Sequence, residues 1–294
     1  MRPRLIAAAA GVAADLVLGE PCLAPHPVAA FGSLMRAVER RLYRDARGPG
    51  VAHACLGVAA GLAAGGLVGS TAVGTYLAVA GRALREAALE VDRALAVGDV
   101  EGARRLLPTL VGRDPERLDE AEIARAVVES VAENSVDAVV APALWGALGG
   151  SPGALGYRAV NTLDALVGHV SPRYRSFGWA SARLDDAANL APARVTAALV
   201  AAVRPAAAGA VVVAVRRDAP AHPSPNAGVA EAAFAAALGL RLGGESRYGD
   251  RLELRPTLGS GRPAARGDIR RAARLSRDVA LALATALTLA GVLA

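Results

Sequence analysis

Residues 51–81 read VAHACLGVAAGLAAGGLVGSTAVGTYLAVAG, 31 positions without one Arg, Asp or Glu, and with His53 the only titratable side chain besides Cys55 and Tyr76. A straight helix of that length would measure about 46 Å, well beyond a hydrocarbon core of about 30 Å. Arg-rich sequence flanks it on both sides, from Arg36 to Arg47 before and from Arg82 to Arg125 after. A single crossing would put one of these clusters on the unfavourable side of a membrane. A tight hairpin, turning near Gly65-Gly66 or Gly69-Ser70, keeps both on one side. Its second arm then continues past Arg82 as an amphipathic helix to Val97, stopped by Gly98-Asp99.

Working outward, other apolar stretches fit the same solvent. Met1–Leu18 carries Arg2 and Arg4 ahead of an apolar run, like a signal peptide. Asp15 inside the run, and Gly19-Glu20-Pro21 after it, favour a retained first membrane segment. Val136–Gly150 is shorter and broken by Pro142. Val195–Val215 has span length but carries Arg204-Pro205 at its centre, so that Arg faces protein or water, or the segment is a bent pair of half-spans. Val279–Ala294 forms a last, uncharged segment. The fold class expected is all-α: a polytopic helical integral membrane protein with about four to six membrane segments, joined by helical inter-span segments. No linker divides it, so residues 1–294 are read as one membrane-embedded domain. No alternating strand pattern of useful length and no repeat is visible.

Composition agrees. With Gly counted and Tyr removed, the apolar share is roughly 62%, against about 45–50% in soluble domains; mean hydropathy is +0.34 and charged residues are 20%. Many of the runs are Ala-rich, which keeps a soluble all-helical protein as the alternative. The net charge is +6, and every basic residue is Arg. Without Lys, a Schiff-base mechanism and the Lys of a phosphate-binding P-loop are excluded. Aromatics are only 3% and the Arg residues are scattered, which argues against nucleic acid and for a lipid bilayer as partner. Cys22 and Cys55 fit no metal or redox spacing and read as small apolar residues.

Four polar clusters carry the chemistry. In Leu118–Asp137, Glu122, Glu129 and Glu133 share one helical face, with Asp137 within about 60° if the helix continues. A solvated amphipathic helix with an Arg125–Glu129 pair is the plain reading, and Glu122 fits it. Glu133, Asn134 and Asp137 instead stand at the threshold of an apolar run. Oxygen ligands there suit Mg²⁺, which takes one or two carboxylates plus substrate phosphates. Asn161 and Asp164 are three apart on a second helix face, where a capping role is the alternative. Asp185 and Asp186 repel each other unless a cation or Arg183 intervenes. Ser224 or Asn226 caps the helix opening at Val229, and the same turn presents N–H groups to a phosphate. Leu242-Gly243-Gly244 and Tyr248-Gly249 read as a glycine-rich loop.

Taken in order, these strings resemble the CobD/CbiB family of cobalamin biosynthesis, the adenosylcobinamide-phosphate synthases. The resemblance runs from Asp15–Pro21 and His26-Pro27-Val28 through Gly112-Arg113-Asp114, Glu129–Pro142, Tyr157–Gly168 and Phe177–Arg194. It ends at Ser224–Gly228 and Leu242–Gly244. Departures are Ala138 after Asp137, Glu20 where Asp is common, and His169-Val170 where a Tyr-Lys pair is usual; Arg173 or Arg175 would replace that Lys.

The resemblance implies a ligase that forms a C–N amide bond. It joins aminopropanol phosphate to the propionate carboxyl of a corrinoid, adenosylcobyric acid, with ATP and Mg²⁺, in the bacterial cytoplasmic membrane as a multi-pass protein. A homo-oligomer is compatible with it. Residue chemistry suggests Glu133, Asp137, Asp185 and Asp186 for the metal. Glu129, Glu133, Asn134, Asp164 and Arg183 are the catalytic candidates. His26, Asn161, Arg194, Ser224 and Asn226 are the substrate-binding candidates, with His26 or Asp164 also able to take the amine proton. The alternatives are a membrane transporter, for which Asp15 and Arg204 would line the path, and a non-catalytic corrinoid-binding membrane scaffold.

Overall fold

The structure, a computed structural model, describes residues 1–21, 23–24, 26–112, 115–248 and 251–293. Cys22, Arg113, Asp114 and Gly249, named above, lie outside the described residues. In chain order the helices are α1 (Arg2–Leu18), α2 (Pro27–Leu42), α3 (Arg47–Val68), α4 (Thr71–Ala78), α5 (Gly81–Ala96), α6 (Val100–Leu106), α7 (Glu120–Ser135), α8 (Ala141–Leu163), α9 (Trp179–Val203), α10 (Ala208–Asp218), α11 (Ala227–Leu238) and α12 (Arg266–Leu293). Strands β1 (Leu240–Tyr248), β2 (Arg251–Leu258) and β3 (Arg262–Pro263) lie between α11 and α12. The chain forms two compact units, each built from separated segments. One comprises Met1–Ala80, Asp137–Pro192 and Ala284–Ala294; the other comprises Gly81–Val136 and Ala193–Leu283.

Three helices, or four if one bent pair counts as a single span, are long and apolar enough to cross a membrane among the described residues. They are α3, the continuous helical stretch Glu120–Gly168, α12 and the pair Trp179–Val203 with Pro205–Ala221. The all-α membrane-type class is therefore what the chain adopts. The first helix, α1, has 17 residues, about 25 Å at the α-helical rise.

The first unit is organised by α3. Gly57, Gly61 and Gly65 form a four-residue series on its buried face. A Cβ on Gly57 would fall 2.7 Å from Leu163 Cδ1, on Gly61 2.5 Å from Ala159 Cβ, and on Gly65 2.4 Å from Pro152 Cα. These missing side chains let α3 and α8 approach backbone to backbone, the device by which helices associate where lipid supplies no hydrophobic drive. Of the two turn positions the sequence offers, Gly65-Gly66 therefore stays helical. The reversal comes at Gly69, left-handed at φ 67°, followed by Ser70, whose hydroxyl accepts from Val73 N at 3.4 Å. The second arm is short: α4 has eight residues, about 12 Å, and ends at extended Val79. The amphipathic continuation is a separate helix, α5, and Gly98 and the Asp99 cap of α6 follow where a stop was expected.

Helix α8 bends at Gly150, with φ 68° and ψ −158°, and Pro152 follows. Helices α9 and α10 meet at 112° around Arg204, whose Nη2 lies 2.8 Å from Asp278 Oδ2. The segment is thus a bent pair, and its Arg meets a carboxylate of the protein. Helix α12 starts at Arg266, earlier than the uncharged Val279–Ala294 segment.

In the second unit, the reciprocal Asp119/Glu122 capping box opens α7, and a serine pair, Ser135 Oγ to Ser276 Oγ at 2.8 Å, ties it to α12. The three-stranded sheet, in order β2-β1-β3, corrects the expectation of no strands. Strands β1 and β2 are antiparallel with a register shift between Leu242 and Gly244, while β1 and β3 are parallel. Leu242–Gly244 and Tyr248 therefore belong to a strand with a glycine bulge, not to a glycine-rich loop. Gly243 and Gly244 have φ of 81° and 90°, values that only glycine adopts readily at a bulge.

The seam makes a matched prediction. Gly65→Ala drives a methyl into Pro152 and should cost about 1–3 kcal/mol by overpacking. Gly66→Ala meets nothing within 4 Å and should be neutral or stabilising by up to about 1 kcal/mol. Thermal unfolding of both variants in one detergent measures the difference; equal melting temperatures would remove the close-packed seam.

Candidate functional site

Within the first unit, α8, α9 and the segment before α8 bring a chain of polar side chains together. The Tyr157 hydroxyl is buried, 2.9 Å from Asn189 Oδ1 and 3.3 Å from Asp137 Oδ1. Asn189 Nδ2 donates to Asp185 Oδ2 at 3.0 Å, and Asn161 Nδ2 donates to Asp185 Oδ1 at 3.4 Å. Arg158 closes the run: Nη1 donates to Asn161 Oδ1 at 3.4 Å, and Nε to Ala78 O at 2.7 Å. Asp137, Glu20 and Asp15 lie within its electrostatic reach. The partly buried guanidinium is thus balanced by carboxylates of the protein and hydrogen-bonded at two of its nitrogens.

Asp137 and Asp164 share an unusual local geometry. Both lie in π-helical turns, Val136–Val140 and Asp164–Gly168. Such turns insert an extra residue into a helix and occur frequently at functional sites. In the second turn the Asp164 carboxylate lies over Gly168, where a Cβ would fall 1.8 Å from its Oδ1 and push it aside. The first explains why face-counting through Leu118–Asp137 fails at its end: beyond Ser135 the helix no longer advances by a fixed 100° per residue.

Adjacent Asp185 and Asp186 have different partners. Asp185 receives the two Asn amides, whereas Asp186 pairs with exposed Arg183 at 3.4 Å. His26 is half-buried at the N-cap of α2 and makes no cap hydrogen bond. Arg173, considered as a replacement for the usual Lys, is 3.0 Å from Glu39 and stacks over Tyr43 with its Cζ 4.2 Å from the ring centre. Arg175 is exposed.

The remaining candidates belong to the second unit. Glu129 is buried and its Oε1 accepts Gly243 N–H at 2.9 Å; Arg125 Nη1 donates to Gly243 O. The two side chains hold Gly243 through the peptide groups on either side of its Cα. Glu133 is exposed on α7, and half-buried Asn134 donates to Ser130 O at 2.9 Å. The alternatives at the next turn separate cleanly. Ser224 Oγ accepts from Asn226 N and Ala227 N, at 3.3 and 3.1 Å, and so caps α11. Asn226 instead holds Arg194, whose Nη1 donates to its Oδ1 at 3.0 Å. Beneath this turn His222 Nδ1 lies 3.1 Å from Ser224 N, and Nε2 is 3.8 Å from buried Glu231 Oε1.

Tyr157, Arg158 and Asn189 carry this geometry without having been assigned roles from sequence. The signal was spacing: Tyr157 and Asn161, like Asp185 and Asn189, are four apart and share a helix face. Among the described residues no three His, Cys, Asp or Glu side chains form a metal-binding group.

The fold and these buried polar networks define a helical membrane-type protein with functional groups clustered on the helices themselves. The sequence matches the family described as CobD/Cbib protein over residues 8–276, and the chain belongs to the CobD/CbiB family. It is similar to proteins named cobalamin biosynthesis protein CobD in several bacteria. That of Mycobacterium tuberculosis is 49% identical over 289 residues, covering 94% of this chain and 92% of that one. That of Rhodobacter capsulatus is 40% identical over 301 residues, covering 95% of each. That of Halalkalibacterium halodurans is 40% identical over 271 residues, covering 85% and 84%. No solved structure matches.

Burial lowers the His222 pKa, outweighing the Ser224 hydrogen bond, which raises it. The unfolded chain, with a histidine value of about 6.5, then binds protons before the folded one. Stability contributed by neutral His222 is fully present above that value and falls as pH drops through it. Melting in detergent between about pH 7.5 and 5 should therefore show a steeper decline for the native chain than for His222→Gln. Parallel curves would mean that His222 titrates alike in both states.

Proposed function

We propose that this chain acts in cobalamin biosynthesis as an amide-forming ligase, a cobinamide-phosphate synthase. It joins the amine of aminopropanol phosphate to the propionate carboxyl of adenosylcobyric acid, in the cytoplasmic membrane of a bacterium, as a multi-pass protein. The observation that carries this reading is the Asp137–Tyr157–Asn189–Asp185–Asn161–Arg158 network, charged and hydrogen-bonded on membrane-type helices. Membership of a cobalamin-biosynthesis family supports a corrinoid as one substrate.

The chemistry fits the residues. A carboxylate reacts with an amine only after one of its oxygens becomes a leaving group, and phosphoryl activation by ATP provides that. Arg158 and the amides of Asn161 and Asn189 bind and orient oxyanions, with Arg the stronger partner for phosphate or carboxylate. The attacking amine must lose a proton. Asp137 and Asp164, each displaced from the regular helical face by a π turn, are the acceptors, with His26 a further candidate. The donor set suits Mg²⁺ held by one or two carboxylates and completed by substrate phosphates, not an all-protein cage. Asp185 and Asp186 are the first choice, with Asp137 and Glu133 the other acidic candidates. When bound there, the ion supplies charge stabilisation for the phosphoryl group.

Asp185→Ala, and the double variant Glu133→Ala with Asp186→Ala, should each lower amide formation by at least about 100-fold while the protein keeps its membrane level. Product is read by mass after incubation in detergent with cobyric acid, aminopropanol phosphate, ATP and Mg²⁺. Unchanged turnover would remove these residues from the site, and turnover indifferent to EDTA would exclude the metal. Substrate flux into sealed vesicles without ATP-dependent product would mark a transporter instead.

A further inference from the structure

The first unit concentrates positive charge on one surface. The end of α2 and the start of α3 supply Arg36, Arg40, Arg41, Arg44 and Arg47, against Glu39 and Asp45. The turn before α9 adds Arg173 and Arg175 without a carboxylate of its own. These segments are distant in sequence and are fastened together. Glu39 Oε1 lies 3.0 Å from Arg173 Nη2 and accepts the Tyr174 hydroxyl at 2.9 Å. The Tyr43 hydroxyl donates to Arg173 O at 3.0 Å, and its ring centre is 5.4 Å from that of buried Phe177. At Gly50 the two segments approach so closely that a Cβ would fall 1.9 Å from Phe177 O.

This framework engages the buried carboxylate and leaves most of the arginines outside it. Arg40, Arg41, Arg44 and Arg175 are exposed, and their guanidiniums make no hydrogen bond or ion pair with any described residue. Helix electrostatics accounts for part of the pattern, since Arg40 and Arg41 stand in the last turn of α2, beside its partial negative charge. It does not account for Arg44 and Arg175, which lie outside helices, or for Arg47, at the start of α3, where a cation is disfavoured. The surroundings are those of a membrane surface. Arg47 opens a helix long and apolar enough to span, and its Cζ lies 5.0 Å from the ring centre of Trp179, which is 40% exposed. Trp and Tyr beside Arg at the end of a span are the usual composition of a membrane–water interface. Helix α2, with 16 residues, is about 24 Å long. It exposes Leu34 together with Arg36, Arg40 and Arg41, which suits a helix lying along the interface and not crossing it.

We propose that this surface binds the headgroups of anionic phospholipids, with Arg40, Arg41, Arg44 and Arg175 on the phosphates and Leu34 and Trp179 at the boundary with the acyl chains. Guanidiniums pair with phosphate oxygens two at a time, and each basic residue near an anionic membrane surface adds to the attraction. A free phosphate would meet the same guanidiniums but would have no use for the apolar border, which favours a lipid. The proposal rests on the membrane-type class of the fold and not on the ligase reading.

Native mass spectrometry of the full chain in nonionic detergent, titrated with phosphatidylglycerol or with phosphatidylcholine of the same acyl chains, counts the bound lipid. Phosphatidylglycerol should bind saturably and at least about tenfold more tightly than phosphatidylcholine. Combining Arg40→Gln, Arg41→Gln and Arg44→Gln should lower that affinity at least about tenfold, with an unchanged melting temperature in lipid-free detergent. A matched control, Arg93→Gln with Arg105→Gln and Arg216→Gln, removes the same charge from exposed positions of the second unit and should leave binding intact. Should the first variant melt early, salt decides: raising ionic strength from about 0.05 to 0.5 M should weaken the native chain's preference for phosphatidylglycerol. Equal binding of the two lipids, equal loss in both variants or a preference indifferent to salt would overturn the proposal. So would displacement of the lipid by equimolar glycerol phosphate, which would mark a site for free phosphate, or by a single-stranded oligonucleotide, which would mark a nucleic-acid surface.

Discussion

The close approach of α3 to α8 is the constraint on which the first unit depends. In a bilayer, apolar side chains gain little by leaving lipid for one another, so helix association rests on packing and on internal hydrogen bonds. Three glycines at four-residue spacing bring the backbone of α3 against Pro152, Ala159 and Leu163 of α8. Helix α8 also carries Tyr157, Arg158 and Asn161, so the position of the polar network is set by residues with no chemistry of their own. Dispersion contacts fall off steeply with separation. A displacement of α8 by one methyl radius would lengthen its hydrogen bonds to α9, now 2.9 Å from Tyr157 to Asn189 and 3.4 Å from Asn161 to Asp185.

Much of this was legible. The uncharged 51–81 stretch, the reversal at Gly69-Ser70, the stop at Gly98-Asp99 and the disturbance at Arg204-Pro205 followed from hydropathy, turn chemistry and the cost of charge in lipid. Other features were not, for identifiable reasons. Gly65 and Gly69 look alike in sequence; only the neighbour of Gly65, Pro152, decides that it packs and does not turn. The β1–β2 hairpin escaped because its alternation is short and its interior is interrupted by Gly243-Gly244, residues that usually signal a loop. Its strands are stabilised by long-range anchors, Glu129 and Arg125 on Gly243, which no local pattern encodes. The Ser224/Asn226 ambiguity is of the same kind: either could cap α11, and Arg194, thirty-two residues before Asn226, settles it.

The distribution of charge follows a common rule. Asp185, Glu129, Asp218 and Asp268 each sit beside amide, guanidinium or backbone donors. In a chain without Lys these guanidiniums come from Arg, whose planar donors can satisfy two acceptors at once. The Tyr157 phenol differs in being placed where two oxygens compete for its single proton.

The π-helical turn at Val136–Val140 has an implication for how this protein tolerates sequence change. Its extra residue means that local chain length, and not only residue identity, carries information. Removing one of the five positions would close the backbone into an uninterrupted α-helix whose flanks keep their phase. The change would fall on Asp137, inside the turn, and not on Tyr157 beyond it. A single deletion here should therefore be felt through the position of one carboxylate.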